Sequence, residues 1–226
     1  SVSRIVDALN IIWNNPFDPR VIPEVDRVFK DRSIGLDEPF QSKYKNIKEA
    51  IEDPSFMKEL QEFSPSSHAL TRNTCSLTRM EGSNKINVIP PKAWAEIDCR
   101  ILPDNDPEEF INQIENLIKD TGVTVEPIML GFPGSSPMDS ELYLAIEDFI
   151  ESNYPGSRLS PSVSTGFTDS RFSRGIGIAS YGFNTYIYEG NESSSIHGNN
   201  ERIHEVRYRK SVGDLSIILD KVIYDE

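Results

Sequence analysis

Cysteine is scarce in this chain: Cys75 and Cys99 are the only two among 226 residues. No CxxC pair occurs, so neither a disulfide framework nor a zinc-knuckle spacing is present. Two readings of the pair stand. On neighbouring strands the two sulfurs would be close; otherwise they are free buried thiols, the reading expected here. Long apolar runs are missing too, and nothing approaches the roughly 18 residues a membrane span needs. Basic charge is in deficit, with 23 Lys and Arg against 36 Asp and Glu and a net charge of -13. Nucleic acids and anionic membranes need clustered cations to displace counterions, so both are excluded as partners. HExxH, P-loop, GxSxG and GxGxxG patterns are all absent. The first residue is not Met, and no signal-peptide pattern precedes the first helix. Nothing in this addresses the compartment.

What is present fits a folded protein. A hydrophobic share of 37% and a charged share of 26% are ordinary for a globular chain. Val2, Ile5, Val6, Leu9, Ile12 and Trp13 follow helical spacing and predict one apolar face from the very start. A chain opening flush with a helix reads as a piece of a longer protein. Prolines 16, 19, 23, 54 and 65 punctuate short helices expected at 22–30, 44–52 and 56–63. Alternation then predicts strands at 75–80 and 93–101, joined across the turn-forming Glu81-Gly82-Ser83-Asn84. Asp106-Pro107-Glu108-Glu109 is a helix start, with Asp as N-cap and Pro at the first helical position. That helix runs to Gly122, and a strand is expected over 123–129. The order helix, strand, strand, helix, strand is a ferredoxin-like α+β domain whose first strand would precede residue 1.

Beyond the linker-like Gly131-Phe132-Pro133-Gly134-Ser135-Ser136-Pro137, the pattern turns to α/β. Helices are expected at 138–152 and 206–223. Loops are expected at 160–171 and 184–201, with a buried strand near 177–183.

Three clusters carry candidate chemistry. Ser164-Thr165-Gly166-Phe167-Thr168-Asp169-Ser170-Arg171-Phe172 reads either as a plain loop or as a pocket edge. In the second reading, backbone N–H groups and hydroxyls near Gly166 and Thr168 line the pocket, and Arg171 offers a planar fork to a carboxylate. In Ser195-Ile196-His197-Gly198-Asn199-Asn200-Glu201, a loop histidine is commonly a surface residue. Gly198 beside it admits close approach, however, and neutral imidazole is a frequent zinc ligand. Asn87 in Asn84–Pro90 and Arg100 in Asp98-Cys99-Arg100 belong to a hairpin. They are either solvated or polar groups at one end of the small domain. His68 and His204 lack a partner at metal-ligand spacing.

Taken in order, Leu70–Thr78, Asn84–Pro90, Ile97–Pro103, Thr168–Phe172 and His197–Glu201 resemble the di-zinc aminoacylase/carboxypeptidase family. The likeness is strongest to its carboxypeptidase S and N-acyl-amino-acid hydrolase branch. It implies a fold of class α/β and α+β. Residues 1–130 would form a ferredoxin-like lid and dimerisation domain lacking its first strand, with a helical insertion at 14–70. Residues 131–226 would form the C-terminal half of a zinc-exopeptidase α/β catalytic domain. By the same resemblance His197 matches a zinc ligand, and Asn87, Arg100, Gly166, Thr168 and Arg171 match substrate-binding residues. The parent would use two Zn2+ ions, generating a hydroxide that attacks the amide of a small peptide or N-acyl amino acid. A homodimer through the lid is implied as well. The family's other metal ligands and its catalytic Glu have no counterpart here, so this segment alone is expected to be inactive and to hold no zinc tightly. The lid's Gly-Gly turn is Gly82-Ser83 in this chain. A catalytically dead relative serving as a dimerisation or binding module is the rival reading.

Overall fold

A computed structural model describes residues 2–224 apart from 165, 167 and 197, and apart from the side chain of Ser194. The elements run α1 (Val2–Asn14), α2 (Pro23–Ser33), α3 (Phe40–Lys45), α4 (Ile47–Ala50), α5 (Pro54–Phe63), α6 (Pro65–Ala69), β1 (Thr74–Glu81), β2 (Trp94–Arg100), α7 (Pro107–Ile118), α8 (Glu141–Asn153), α9 (Ser170–Gly175) and α10 (Glu205–Tyr224). The chain divides into two compact units: residues 1–135 with 160–176, and residues 136–159 with 177–226. Segment 160–176 therefore clusters with the first unit.

The first unit has its main core among α2 to α6. Val25, Phe29, Ile47, Phe56 and Leu60 are wholly buried there, and Tyr44 nearly so. Phe29 meets Tyr44 edge-on at 4.7 Å between ring centroids. Phe40 stacks on Phe63 at 4.0 Å. Local signals set the helix starts. The Asp53 carboxylate accepts from Ser55 N–H at 2.8 Å with Pro54 at the first position, and Ser64 Oγ accepts from Ser67 N–H at 3.3 Å. Each side chain satisfies an N–H that the helix leaves without a partner.

Beside this core, β1 and β2 form an antiparallel ladder from Thr74↔Arg100 to Glu81↔Trp94. The register shifts between Leu77 and Arg79, so Thr78 is an extra residue, and its Oγ1 donates to the Glu96 carbonyl at 3.1 Å. An added residue of this kind bends a strand and increases its twist. Helices α1 and α7 pack on each other, and α1 also touches β2. The Asp106 carboxylate caps α7 by accepting from Glu108 and Glu109 N–H at 2.8 and 3.0 Å. Gly122, at φ +68°, ends the helical stretch in the left-handed region that glycine enters freely. A Cβ on Gly82 would lie 2.6 Å from Val2 Cγ2, so the turn after β1 needs glycine where α1 crosses it.

Five expectations change. Cys75 and Cys99 are not free thiols but a disulfide across facing positions of the ladder, with Cα atoms 4.1 Å apart. That close spacing suits a pair not bridged by ladder hydrogen bonds. Residues 123–127 have no strand pairing. Strand propensity needs a partner edge, and among the described residues none pairs with this segment. Residues 177–183 likewise lack a ladder. Finally, Val6 and Trp13 are exposed, because α1 presents the narrower strip of Ile5, Ala8, Leu9 and Ile12. The loop expected at 160–171 also gives way to a short helix, α9, from Ser170.

In the second unit, Ala145, Ile146 and Phe149 of α8 bury against Ile218 of α10, flanked by Leu142, Phe183 and Leu159. The i, i+3, i+4, i+7 spacing from Leu142 to Phe149 puts these side chains on one face. Ser140 caps α8, its Oγ accepting from Tyr143 N–H at 3.2 Å. One charged side chain, Asp214, is buried beside Ile218. Tyr154 Oη donates to its carboxylate, and Lys210 Nζ donates at 2.8 Å. Burial opposes the charge on Asp214, but those two donors outweigh it and hold its pKa below the ordinary carboxylate value. The same contacts, Asp214 first and then Tyr154, raise the pKa of Lys210.

Two outcomes follow from these cores. Phe56→Ala removes a fully buried ring and should cost about 3–5 kcal/mol in urea unfolding of the intact chain; a loss under 1 kcal/mol would show that the core repacks. Because the folded pKa of Asp214 is depressed, its contribution is present above the unfolded value of about 3.9 and is lost as pH falls through the lower folded value. Because that of Lys210 is raised, its contribution persists up to about pH 10.4 and is lost above it. Protection factors for amide exchange in α8, taken against the intrinsic rate at each pH, should therefore hold between those limits and fall below about pH 4. Asp214→Asn should flatten the acid side of that profile.

Candidate functional site

The candidate residues of segment 164–172 share one local structure in the first unit. Ser164 Oγ accepts from Gly166 N–H at 3.1 Å, and the Thr168 carbonyl accepts from Arg171 N–H at 3.3 Å as α9 begins. Gly166 and Thr168 are exposed, while Arg171 is half-buried. The Arg171 guanidinium lies 4.6 Å from the Phe172 ring centroid, a contact that favours arginine over lysine at this place.

Arg171 lines a cleft of about 540 Å³ in the first unit, together with Arg174, Asn105 to Glu108 and Leu130 to Ser135. Arg174 went unremarked in the sequence. It lies one helical turn beyond Arg171, and i, i+3 spacing puts both guanidiniums on one side of α9. A helix recognised over Ser170–Gly175 would have revealed the pair. Asp106, in the cleft wall, spends its carboxylate on the α7 cap. Two planar cations in one concave wall suit a ligand with a carboxylate or another anionic group.

Asn87 and Arg100 are not brought together. Asn87 is exposed in the connection between β1 and β2, whereas Arg100 pairs with Thr74 at the other end of the ladder. Seven residues of strand, at about 3.4 Å each, separate the two ends. The expectation that they sit at one end is corrected by this register. Arg100 is also engaged, its Nε and Nη2 donating to Asp98 Oδ2 at 3.1 and 2.6 Å.

His197 lies outside the described residues. The loop that carries it is nonetheless well held. Ser195 N–H and Oγ donate to the Glu192 carbonyl at 3.2 and 2.7 Å, and Gly198 N–H donates to the Ser195 carbonyl at 2.8 Å. A Cβ on Gly198 would stand 3.1 Å from that carbonyl oxygen, so glycine is the comfortable residue there. Asn200 has φ +65°, a left-handed conformation that asparagine tolerates better than most side chains.

For a metal the donor set is thin. Among the described residues no group of three His, Cys, Asp or Glu side chains is placed to hold an ion. Both cysteines are spent on the disulfide, which removes them as thiolate ligands. His68 has its pKa lowered, by burial first and by Arg72 second, which keeps it neutral without giving it a co-ligand. Catalytic zinc needs at least three protein ligands. The described residues therefore do not form a zinc site. No described helix is long and apolar enough to cross a membrane.

Residues 35–126 match the peptidase dimerisation domain, a span that takes in α3 to α6, the β1–β2 ladder and α7. The chain is 33% identical over 149 residues to the N-fatty-acyl-amino acid synthase/hydrolase PM20D1 of Xenopus tropicalis, covering 65% of this chain and 29% of that protein. It is 23% identical over 214 residues to the probable carboxypeptidase S-like 2 of Dictyostelium discoideum, covering 94% of this chain and 40% of that protein. In fold it is similar to an M20 family metallo-carboxypeptidase, Sso-CP2 from Sulfolobus solfataricus. That match has a TM-score of 0.55 at 19% identity and covers 91% of this chain and 46% of the other. Residues 35–126 thus carry a peptidase dimerisation domain of the M20 type, and the chain is similar to N-fatty-acyl-amino acid synthase/hydrolases and carboxypeptidase S-like proteins. It spans 29% and 40% of the length of these two curated relatives.

Mutation of the cleft offers a structural check. Arg174→Ala should leave the urea midpoint of the chain nearly unchanged, within about 0.5 kcal/mol, as expected for a side chain outside the core. A large loss of stability would make Arg174 a framework residue and remove it from the candidate site.

Proposed function

We propose that this chain is part of a zinc-dependent hydrolase that cleaves the amide bond of small peptides or N-acyl amino acids. In this reading it supplies the dimerisation domain and part of the substrate-binding wall. The observation that carries the reading is the 33% identity, over 65% of this chain, to an N-fatty-acyl-amino acid synthase/hydrolase. The match to a carboxypeptidase S-like protein across 94% of the chain supports the same class of amide chemistry.

The cleft supports it from the side of physical chemistry. Substrates of this class carry a free carboxylate, and Arg171 with Arg174 offers guanidinium forks for it in a half-enclosed wall. Gly166 and Thr168 would line the approach with a backbone N–H and a hydroxyl. His197 would be this chain's one zinc ligand, with the remaining ligands of two Zn2+ ions and the general base supplied from outside residues 1–226. Alone, the chain would neither hold zinc tightly nor turn over substrate. The dimerisation-domain match supports a homodimer as the partner arrangement. Because Asn87 and Arg100 sit at opposite ends of the ladder, a small substrate would meet only one of them from a given copy.

In the enzyme that contains this chain, Arg171→Ala should lower kcat/KM by about tenfold or more. A hydrogen bond to a charged group contributes about 1.5–3 kcal/mol, and each 1.4 kcal/mol is tenfold. A panel of N-acyl amino acids against dipeptides separates the two substrate classes. Unchanged kinetics for Arg171→Ala would remove that residue from the site. A stable dimer without turnover on either class would mark the chain as a binding module.

A further inference from the structure

The loop of residues 189–204 in the second unit is closed at its base by a network that nothing above assigns a role. Arg207, in the first turn of α10, sends Nη2 to Glu192 Oε1 at 2.6 Å and Nη1 to the Glu189 carboxylate. Glu192 Oε2 receives two further donors, Tyr186 Oη at 3.0 Å and Glu189 N–H at 3.0 Å. Tyr186 Oη in turn accepts from His204 N–H at 2.9 Å, which ties the far limb of the loop to the near one. Arg202 adds a second tie, its Nη2 donating to Asn191 Oδ1 at 3.2 Å. Arg207 also lies 5.6 Å from the Tyr186 ring centroid.

Two of these groups are sheltered, while the Glu189 side chain is 69% exposed. The Glu192 side chain is 11% exposed and that of Arg207 is 20% exposed. An ion pair so placed is screened less than a surface pair, and losing one partner leaves the other charge shielded from water without a counter-charge. The planar guanidinium reaches two carboxylates at once, a geometry that an ammonium cannot reproduce.

The network also has a direction. The residue that Arg207 grips by its carboxylate, Glu192, is the residue whose carbonyl accepts both Ser195 N–H and Ser195 Oγ. Ser195 then receives Gly198 N–H on its own carbonyl. The hydrogen bonds step from α10 through Glu192 and Ser195 to the neighbour of residue 197. Glycine suits this turn, since a Cβ at position 198 would press on the Ser195 carbonyl oxygen at 3.1 Å.

We propose that Arg207 is a positioning residue which, acting through Glu192, organises the 189–204 loop before any ligand arrives. The significance for catalysis rests on the functional reading above, in which this loop belongs to the active site; the organisation of the loop does not. Arg207 touches no reacting atom in this reading. It acts by holding the backbone on which the loop's polar side chains are mounted, so the loop need not be ordered at each turnover.

The test is amide hydrogen exchange on the full chain, comparing the wild type with Arg207→Met, Arg207→Lys and the swap Arg207→Glu with Glu192→Arg. Arg207→Met should speed exchange in 189–204 by roughly tenfold or more, the loss of a charged hydrogen bond, while α8 is unchanged. Lysine should restore protection only in part, and the swap should restore more than either single change. Unchanged loop exchange in Arg207→Met would overturn the proposal. Equal acceleration in α8 would overturn it too, since Arg207 would then be holding the whole unit and not the loop. In the active enzyme, Arg207→Met should lower kcat with KM within about twofold, the pattern of a group that matters in the transition state only. A loosened loop with unaltered kcat would uphold the positioning role and sink the reading that places this loop in the site.

Discussion

The antiparallel ladder between β1 and β2 is the interaction that decides where the two ends of the hairpin lie, and with them Asn87 and Arg100. Two strands alone are marginal in water, because one hairpin cannot bury enough apolar surface to offset its ordering. Here the ladder gains support on three counts. The Cys75–Cys99 bond ties facing positions near the open end, α1 touches β2, and α1 reaches the turn after β1 through Val2 against Gly82. The bulge at Thr78 bends β1, and Arg79 then lies beside both Glu96 and the ring of Trp94. Because the register is fixed, the two ends of the hairpin are fixed as well. That is why Asn87 and Arg100 belong to different places and not to one group.

The better core of this unit lies outside the ladder, in the short helices that the sequence marks between its prolines. Val25, Phe29, Ile47, Phe56 and Leu60 form a closed apolar centre of their own, and Val163 packs against it from segment 160–176. That packing, with Ser160 Oγ donating to Asp31 at 2.7 Å, draws the segment carrying Gly166, Thr168 and Arg171 onto the first unit. The cleft with two arginines then comes from the start of α9 meeting the capped end of α7.

Much of this was legible from residue patterns. Leu142, Ala145, Ile146 and Phe149 announce α8 by spacing, and Asp106-Pro107 announces α7 by cap chemistry. The alternation from Cys75 to Met80 and from Ala93 to Ile101 announces the hairpin. What escaped were features decided by distant partners. Residues 123–127 carry strand propensity but lack an edge to pair with, and a ladder is a property of two segments. Val6 and Trp13 fit the helical face of α1 by spacing, yet the surface that α1 covers is narrower than the stripe. The cysteine pairing depended on the register of two strands 24 residues apart, which spacing does not give. Arg174 was missed because its meaning depends on a six-residue helix with no strong cap, and Arg207 because its partners lie 15 and 18 positions away. The family resemblance, by contrast, was legible from motif order alone.

In the reading proposed above, this chain carries the binding and dimerisation side of a zinc-dependent hydrolase and too few ligands to hold its metal. The most direct measurement is zinc per chain by elemental analysis, after dialysis of the purified 226-residue protein at neutral pH. The account predicts a value near zero, since a lone imidazole cannot retain zinc. One or two tightly held zinc ions per chain would contradict it and show that a complete ligand set lies within these residues.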